Sequence, residues 1–218
     1  MPPQQVVYVP NGMGIGDVAQ RDFSVQREGK ERPTLLLYSR LFEFDTTRLI
    51  TILRAVKTAV PDLRILSVGA GLFAADATQF RQQLAAADLL ASVEDQGWVD
   101  PSQLPGLLTQ ADIGLYLMDD TLLNRAKCPV KLADMVALGI PVVGEAVGQV
   151  PEYVVNGRSG LLRHSGDNAG LTQDIIDLLQ NPAQRLTMSH YAQTHFQANF
   201  TWAQQAELLE TAYATNEQ

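Results

Sequence analysis

The 218-residue chain has a single cysteine, Cys128, so no internal disulfide can form and no cysteine cluster can hold a metal. A reducing, cytoplasmic compartment fits that composition. Histidine is nearly as scarce: His164, His190 and His195 are all there are, and the spacing of the last two is not the i, i+4 of a helical metal pair. No segment approaches the roughly 18 apolar residues that span a bilayer, and the opening MPPQQVVYVP lacks a basic stretch followed by an apolar run. Basic residues are the minority, 16 against 24 acidic ones, for a formal net charge of -8. That balance argues against a surface that neutralises long nucleic acids, while leaving room for a small anion in a local pocket.

What is present is a chain able to form a core, 46% hydrophobic and 18% charged. Residues 6–9 (VVYV) read as a short strand, and Pro10-Asn11-Gly12 as a turn into a polar stretch ending near Pro33. Residues 1–33 therefore read as an interdomain linker with a strand remnant, and residues 34–218 as one domain. From Thr34 onward, short apolar runs alternate with longer amphipathic segments, the pattern of repeated βαβ units. Strands are expected at 34–39, 64–69, 92–99, 113–118 and 141–146, and helices at 45–59, 74–90, 102–110 and 130–138, with Asp45, Ser102 and Cys128-Pro129 at their starts. The expected fold is α/β, a parallel sheet flanked by helices. Three more helical segments, near 168–180, 182–196 and 202–214, close the chain without a further strand, and Trp202 and Tyr213 are expected to pack on the domain.

In an open parallel sheet the ligand crevice lies beyond the carboxyl ends of the strands. Those ends carry Ser39-Arg40-Leu41, Gly69-Ala70-Gly71, Gly97-Trp98-Val99, a long loop with Arg125 and Lys127, and Gly144 to Gly148. Singly, Arg40, Arg125, Lys127 and Lys131 are ordinary surface cations; together on one rim of an acidic chain they suit a diphosphate. The segment CPVKLADMVALGIPVV (128–143) adds a helix start. Pro129 fits the first helical position and leaves the amides of Val130, Lys131 and Leu132 for an anion. Lys131 and Asp134 share a face there, either as a plain surface pair or as a phosphate cation beside a carboxylate for ribose hydroxyls. Trp98 fits a base-stacking platform as well as a core position. Glu152, after Pro151, complements a helix dipole.

The stretch KLADMVALGIPVV (131–143) resembles the K-L-x-E-Y-M-A-x-G-x-P-V-V of the retaining, glycogen-synthase-like GT4 glycosyltransferases, and VGQVPEYVVNGRSGLL (147–162) resembles their G-G-x-P-E-x-V-x-x-G-x-x-G-L-L. Tyr38 to Leu41, Gly69-Ala70-Gly71, Gly97-Trp98-Val99 and the Pro-Asn-Gly near the start are similar to further family motifs, in order along nearly the whole chain. The resemblance implies the C-terminal, Rossmann-like half of a GT-B enzyme, which moves a hexose from a nucleoside diphosphate sugar without a metal. It implies Arg40 and Lys131 as the residues acting on the donor phosphates. Donor binding would fall to Gly69, Gly71, Trp98, Val99, Lys127, Cys128, Pro129, Val130, Asp134 and Glu152. The N-terminal half is absent from this chain, and any membrane contact would belong to it.

Three departures stand out. Ala126 replaces the glutamate that the family assigns to the donor sugar, Asp134 is shorter than the family's glutamate, and Asp45 replaces a phosphate-binding lysine. They keep open a non-catalytic nucleotide-binding or scaffolding module; a sugar-nucleotide 2-epimerase ranks last because its donor motifs differ.

Overall fold

A computed structural model describes residues 7–12, 32–71 and 74–215. In chain order the elements are β1 (Thr34–Tyr38), α1 (Thr46–Ala59), β2 (Arg64–Val68), α2 (Ala74–Ala86), β3 (Val93–Asp95), α3 (Leu104–Leu108), β4 (Ile113–Tyr116) and α4 (Leu122–Arg125). They continue with α5 (Val130–Ala137), β5 (Val142–Glu145), α6 (Val150–Tyr153), β6 (Gly160–Arg163), α7 (Asn168–Gln180), α8 (Pro182–Asn199) and α9 (Trp202–Thr215). The strands form one sheet in the order β3-β2-β1-β4-β5-β6, and every pairing is parallel.

The run TLLLY forms β1 because both faces of the central strand are covered, so an unbroken apolar stretch suits it better than alternation. Leu36 and Tyr38 face one layer with Leu132, Val136 and Phe196 of α5 and α8. Leu35 and Leu37 face the other with Leu49, Leu53, Ile175 and Leu178 of α1 and α7. Asp45 caps α1 by accepting from the Thr47 amide at 2.8 Å, the role expected of it.

Several expectations need correction. A sixth strand, β6, pairs with β5; its start is set by a turn in which Asn156 accepts from the Leu162 amide at 2.9 Å and Ser159 from the Val155 amide at 2.8 Å. β3 spans three residues, because Gly97 turns the chain out of the sheet at φ 56°. Residues 7–9 form no strand, and Tyr8 instead donates to Glu152 at 2.5 Å. Trp202 and Tyr213 are 53% and 72% exposed, so α9 does not bury them. Residues 1–6 and 13–31 of the supposed linker lie outside the described residues.

Glu145, at the end of β5, is fully buried. Its two oxygens accept from Arg48 Nη1 and Nη2 of α1 at 2.7 and 2.6 Å. They also take the amides of Met118, after β4, and Gly166, before α7, each at 2.7 Å. Three segments thus close on the carboxylate of a fourth, and the Arg48 guanidinium gains a second anion, Asp119, at 2.8 Å. Removing one partner from a buried pair leaves the other charge uncompensated, at a cost of about 3–5 kcal/mol. Arg48→Met is therefore expected to lower unfolding free energy by at least about 3 kcal/mol in urea melts. Converting Glu145 to Met as well should not restore the parent, since the two amides stay unpaired; full recovery would show that the pair alone matters.

Candidate functional site

The sheet order reverses between β1 and β4: the chain runs outward from β1 through β2 and β3, then returns to the other side of β1. Diverging connections leave a crevice beyond the carboxyl ends of those two strands. A cleft lies there, lined by residues 38–40, 43, 44 and 115–117 from the strand ends and by 127–131 from the start of α5. It is an open cleft, with about 670 Å³ of non-protein space when its solvent-filled mouth is counted.

The β1–α1 loop is held in a fixed form. Leu41 takes a left-handed φ of 67°, which costs a non-glycine residue about 1 kcal/mol or more. Its amide bonds to Ser39 Oγ at 3.0 Å and its side chain is buried. Two residues on, the Glu43 carbonyl accepts from Asn124 Nδ2 at 2.8 Å and from the Asp119 amide at 3.0 Å. The ends of β2 and β3 are joined by the Gly69 amide donating to the Gly97 carbonyl at 2.7 Å, and Trp98 reaches the face of Arg40, whose guanidinium carbon is 5.7 Å from the ring centre.

α5 supplies the opposite wall. It begins at Val130, with Pro129 as the capping residue rather than the first helical one, and the Val130 amide turns back onto the Cys128 carbonyl at 3.0 Å. Of the three amides expected to face an anion, those of Lys131 and Leu132 carry no hydrogen bond to a described residue. The Lys131 ammonium lies 4.6 Å from the centre of the Tyr38 ring; it stands beside Gly69, whose left-handed φ of 74° accounts for a glycine there. The Tyr38 hydroxyl donates to Asp134 at 3.3 Å. Burial, with the neighbouring Arg40 charge second, pulls the Lys131 pKa down to about 8. Burial likewise pushes the Asp134 carboxyl up to about 6, and raises the Tyr38 hydroxyl so that it stays protonated.

Three cations thus line the cleft, each against an aromatic face: Arg40 on Trp98, Lys131 on Tyr38, and Lys127, whose ammonium is 4.3 Å from the Phe42 ring centre. Lys127 also stands 3.7 Å from Glu43, yet its buried Nζ makes no hydrogen bond. Elsewhere guanidinium groups are committed: Arg163 grips Asp174 at 2.6 Å through two bonds, and Arg125, the fourth expected rim cation, grips Asp120 at 2.5 and 2.8 Å outside the cleft lining. Ring faces hold a cation without using its donors, so the cleft presents ordered, unspent N–H groups.

The remaining sequence candidates divide. Cys128, Pro129 and Val130 line the cleft, and Asp134 touches it through Tyr38. Val99 packs against the core, and Trp98 is 65% exposed, which rules out a core role. Gly71 serves the β2–α2 turn, where a Cβ would meet the Ala77 amide at 2.8 Å. Glu152 lies on α6, away from the cleft lining, bonded to Tyr8. Asp45 caps α1 and lines a separate hollow with Asp76, outside the cleft lining. Among the polar lining residues, Glu43 and Tyr116 were not singled out from sequence, and Tyr38 only as part of a motif. All follow or end a strand at the reversal point, the one signal that would have found them.

A model of the glycosyl transferases group 1 family matches residues 32–181. The chain belongs to that family. Among curated family relatives, a GDP-mannose-dependent α-(1-6)-phosphatidylinositol monomannoside mannosyltransferase of Mycolicibacterium smegmatis is 26% identical over 188 residues, 82% of this chain and 48% of the relative. A D-inositol 3-phosphate glycosyltransferase of Corynebacterium aurimucosum is 40% identical over 78 residues, 36% of this chain and 18% of the relative. The fold matches GT-B structures: HepE of Anabaena in complex with UDP superposes with a TM-score of 0.73 at 19% identity, covering 95% of this chain and 57% of that one. S. aureus TarM gives 0.74 at 11% identity, covering 95% and 39%. The chain thus spans about half, or less, of the relatives it matches.

A lysine with a lowered pKa destabilises the fold while it is charged. Between about 8 and its usual 10.5, the folded protein binds fewer protons at Lys131 than the unfolded chain, so stability attributable to this residue rises with pH across that window. Lys131→Met is accordingly expected to melt no lower than the parent at pH 7, and the parent should gain on it between pH 8 and 10 in thermal melts. A variant melting several degrees lower at pH 7 would show instead that Lys131 supports the fold.

Proposed function

We propose that this cleft holds the diphosphate of a nucleoside diphosphate sugar and that the chain is the donor-binding half of a retaining hexosyltransferase working in the cytoplasm. The observation that carries the proposal is the set of three aromatic-backed cations with unspent donors at the sheet's reversal point. Arg40, Lys127 and Lys131, with the free amides at the start of α5, face the bridging and terminal phosphates. Negative charge develops on the leaving diphosphate as the glycosidic bond breaks, and preorganised donors in a partly desolvated cleft stabilise that charge most. The cations supply this neutralisation in place of a metal. The Asp134 carboxylate, placed by Tyr38, accepts ribose hydroxyls, and the backbone at Trp98 and Val99 meets the base. HepE, whose fold this chain shares, is solved with UDP, which supports the assignment.

The acceptor side would belong to a partner domain, for which the greater length of the relatives leaves room. α9 leaves Trp202, Leu208, Leu209 and Tyr213 between 43% and 72% exposed, an apolar stripe consistent with such a neighbour.

A ligand that binds only the folded state raises its melting temperature, by about 5 °C or more for a domain of this size at a hundredfold excess over Kd. Among UDP, GDP, ADP and their hexose conjugates, one base series is expected to do so, equally in EDTA, with the shift lost in Arg40→Ala and Asp134→Ala. A nucleotide-binding module without catalysis would give the same shift but no transfer once the partner half is supplied; no shift from any base would sink the donor-site reading. For the bound nucleotide sugar, whose diphosphate does not titrate near neutrality, affinity should be flat between about pH 6 and 8. It should weaken above that range as Lys131 loses its proton and below it as Asp134 gains one.

A further inference from the structure

Glu43 is an anion among the cations of the cleft, and the donor-site reading alone gives it no task. Its side chain is only 18% exposed, and its partners are long: Lys127 Nζ at 3.7 Å and Ser39 Oγ, which donates at 3.4 Å. A carboxylate kept from water without short hydrogen bonds is costly, yet the backbone is built to keep it there. The Glu43 carbonyl is pinned by Asn124 and by the Asp119 amide, and the preceding loop turns through the strained Leu41. Lys127, which it faces, directly follows Ala126. Ala126 itself is exposed and has no polar side chain.

We propose that Glu43 makes the cleft select a sugar-capped diphosphate over the free nucleoside diphosphate. Two effects of one carboxylate act together. Toward the donor, its unspent acceptor sites take sugar hydroxyls. Toward the free diphosphate, it repels the terminal phosphate, which carries about -1.5 to -2 at pH 7 and loses roughly one unit when a sugar caps it. Lys127, shared between Glu43 and the phosphates, offsets only part of that repulsion. The donor is retained, and the more highly charged product is expelled once the sugar has left.

The proposal rests on the donor-site reading, and titration calorimetry separates the two. The full chain would be titrated with UDP and UDP-glucose, GDP and GDP-mannose, ADP and ADP-glucose, and inorganic pyrophosphate. Glu43→Gln, which preserves shape and removes charge, is expected to tighten the free nucleotide and pyrophosphate about tenfold, and to leave the sugar conjugate unchanged or weaker. Lys127→Met, which leaves Glu43 without its counter-charge, should move the ratio the other way, weakening the free nucleotide more than the conjugate. Equal tightening of both ligands by Glu43→Gln would mean that the residue merely lowers the local positive potential, and no change in either would mean that it does not face the ligand; both results reject the proposal and leave the donor site standing. Failure of the parent to bind any of the pairs would overturn the donor site itself, and the role of Glu43 with it.

Discussion

The fully buried carboxylate of Glu145 is the constraint from which the geometry of the cleft follows. It receives Arg48 from α1, the Met118 amide from the end of β4 and the Gly166 amide from the loop before α7. Because Arg48 also reaches Asp119, and the Asp119 amide holds the Glu43 carbonyl, the tie runs from the sheet's interior into the β1–α1 loop. The two strand ends that flank the topological reversal are therefore set by a charged network rather than by loop packing, and a loop so anchored can keep Leu41 in a left-handed conformation. A binding site built on such ends needs little reorganisation when a ligand arrives, which preserves affinity.

The cleft cations differ in what they touch from four arginines outside it, although Arg158, 4.0 Å from the Tyr191 ring centre, is a ring-backed cation elsewhere. Arg48, Arg64, Arg125 and Arg163 are paired with carboxylates. Arg40, Lys127 and Lys131 sit on aromatic rings. Those rings desolvate a cation without satisfying its donors, and the depressed Lys131 pKa and raised Asp134 pKa register the same desolvation. The fold accepts that destabilisation at a place where a dianion would relieve it. Net negative charge elsewhere on the chain confines anion attraction to this spot.

Much of this was legible in the sequence for identifiable reasons. β1 and β5 announce themselves as apolar runs because central parallel strands are buried on both faces, and Asp45 announces the start of α1 because capping is local. β6 was missed because GLLR is four residues long, lies at the sheet edge and ends on a charge. The extent of β3 was overread because SVEDQGWV keeps a strand-like alternation past Gly97, where a positive φ ends it. In the site, the Lys131–Asp134 spacing was readable, whereas Tyr38, which links them, reads as one more core residue of its strand. The commitment of Arg125 to Asp120 was hidden because their separation fits no regular periodicity. Glu43 carried no motif, and only the order of strands in the sheet gives it a place.

The account stands or falls on where a nucleotide sugar sits. Hydrogen-exchange mass spectrometry of the full chain, with and without the conjugate that stabilises it, reads this directly through the backbone amides. Protection is expected in residues 39–44, 97–99 and 128–132 together, with α7 and α9 unchanged. Protection centred on α9 or α6, or a stabilising ligand that leaves the amides of 128–132 exchanging as before, would contradict the assignment of the cleft between β1 and β4 as the diphosphate site.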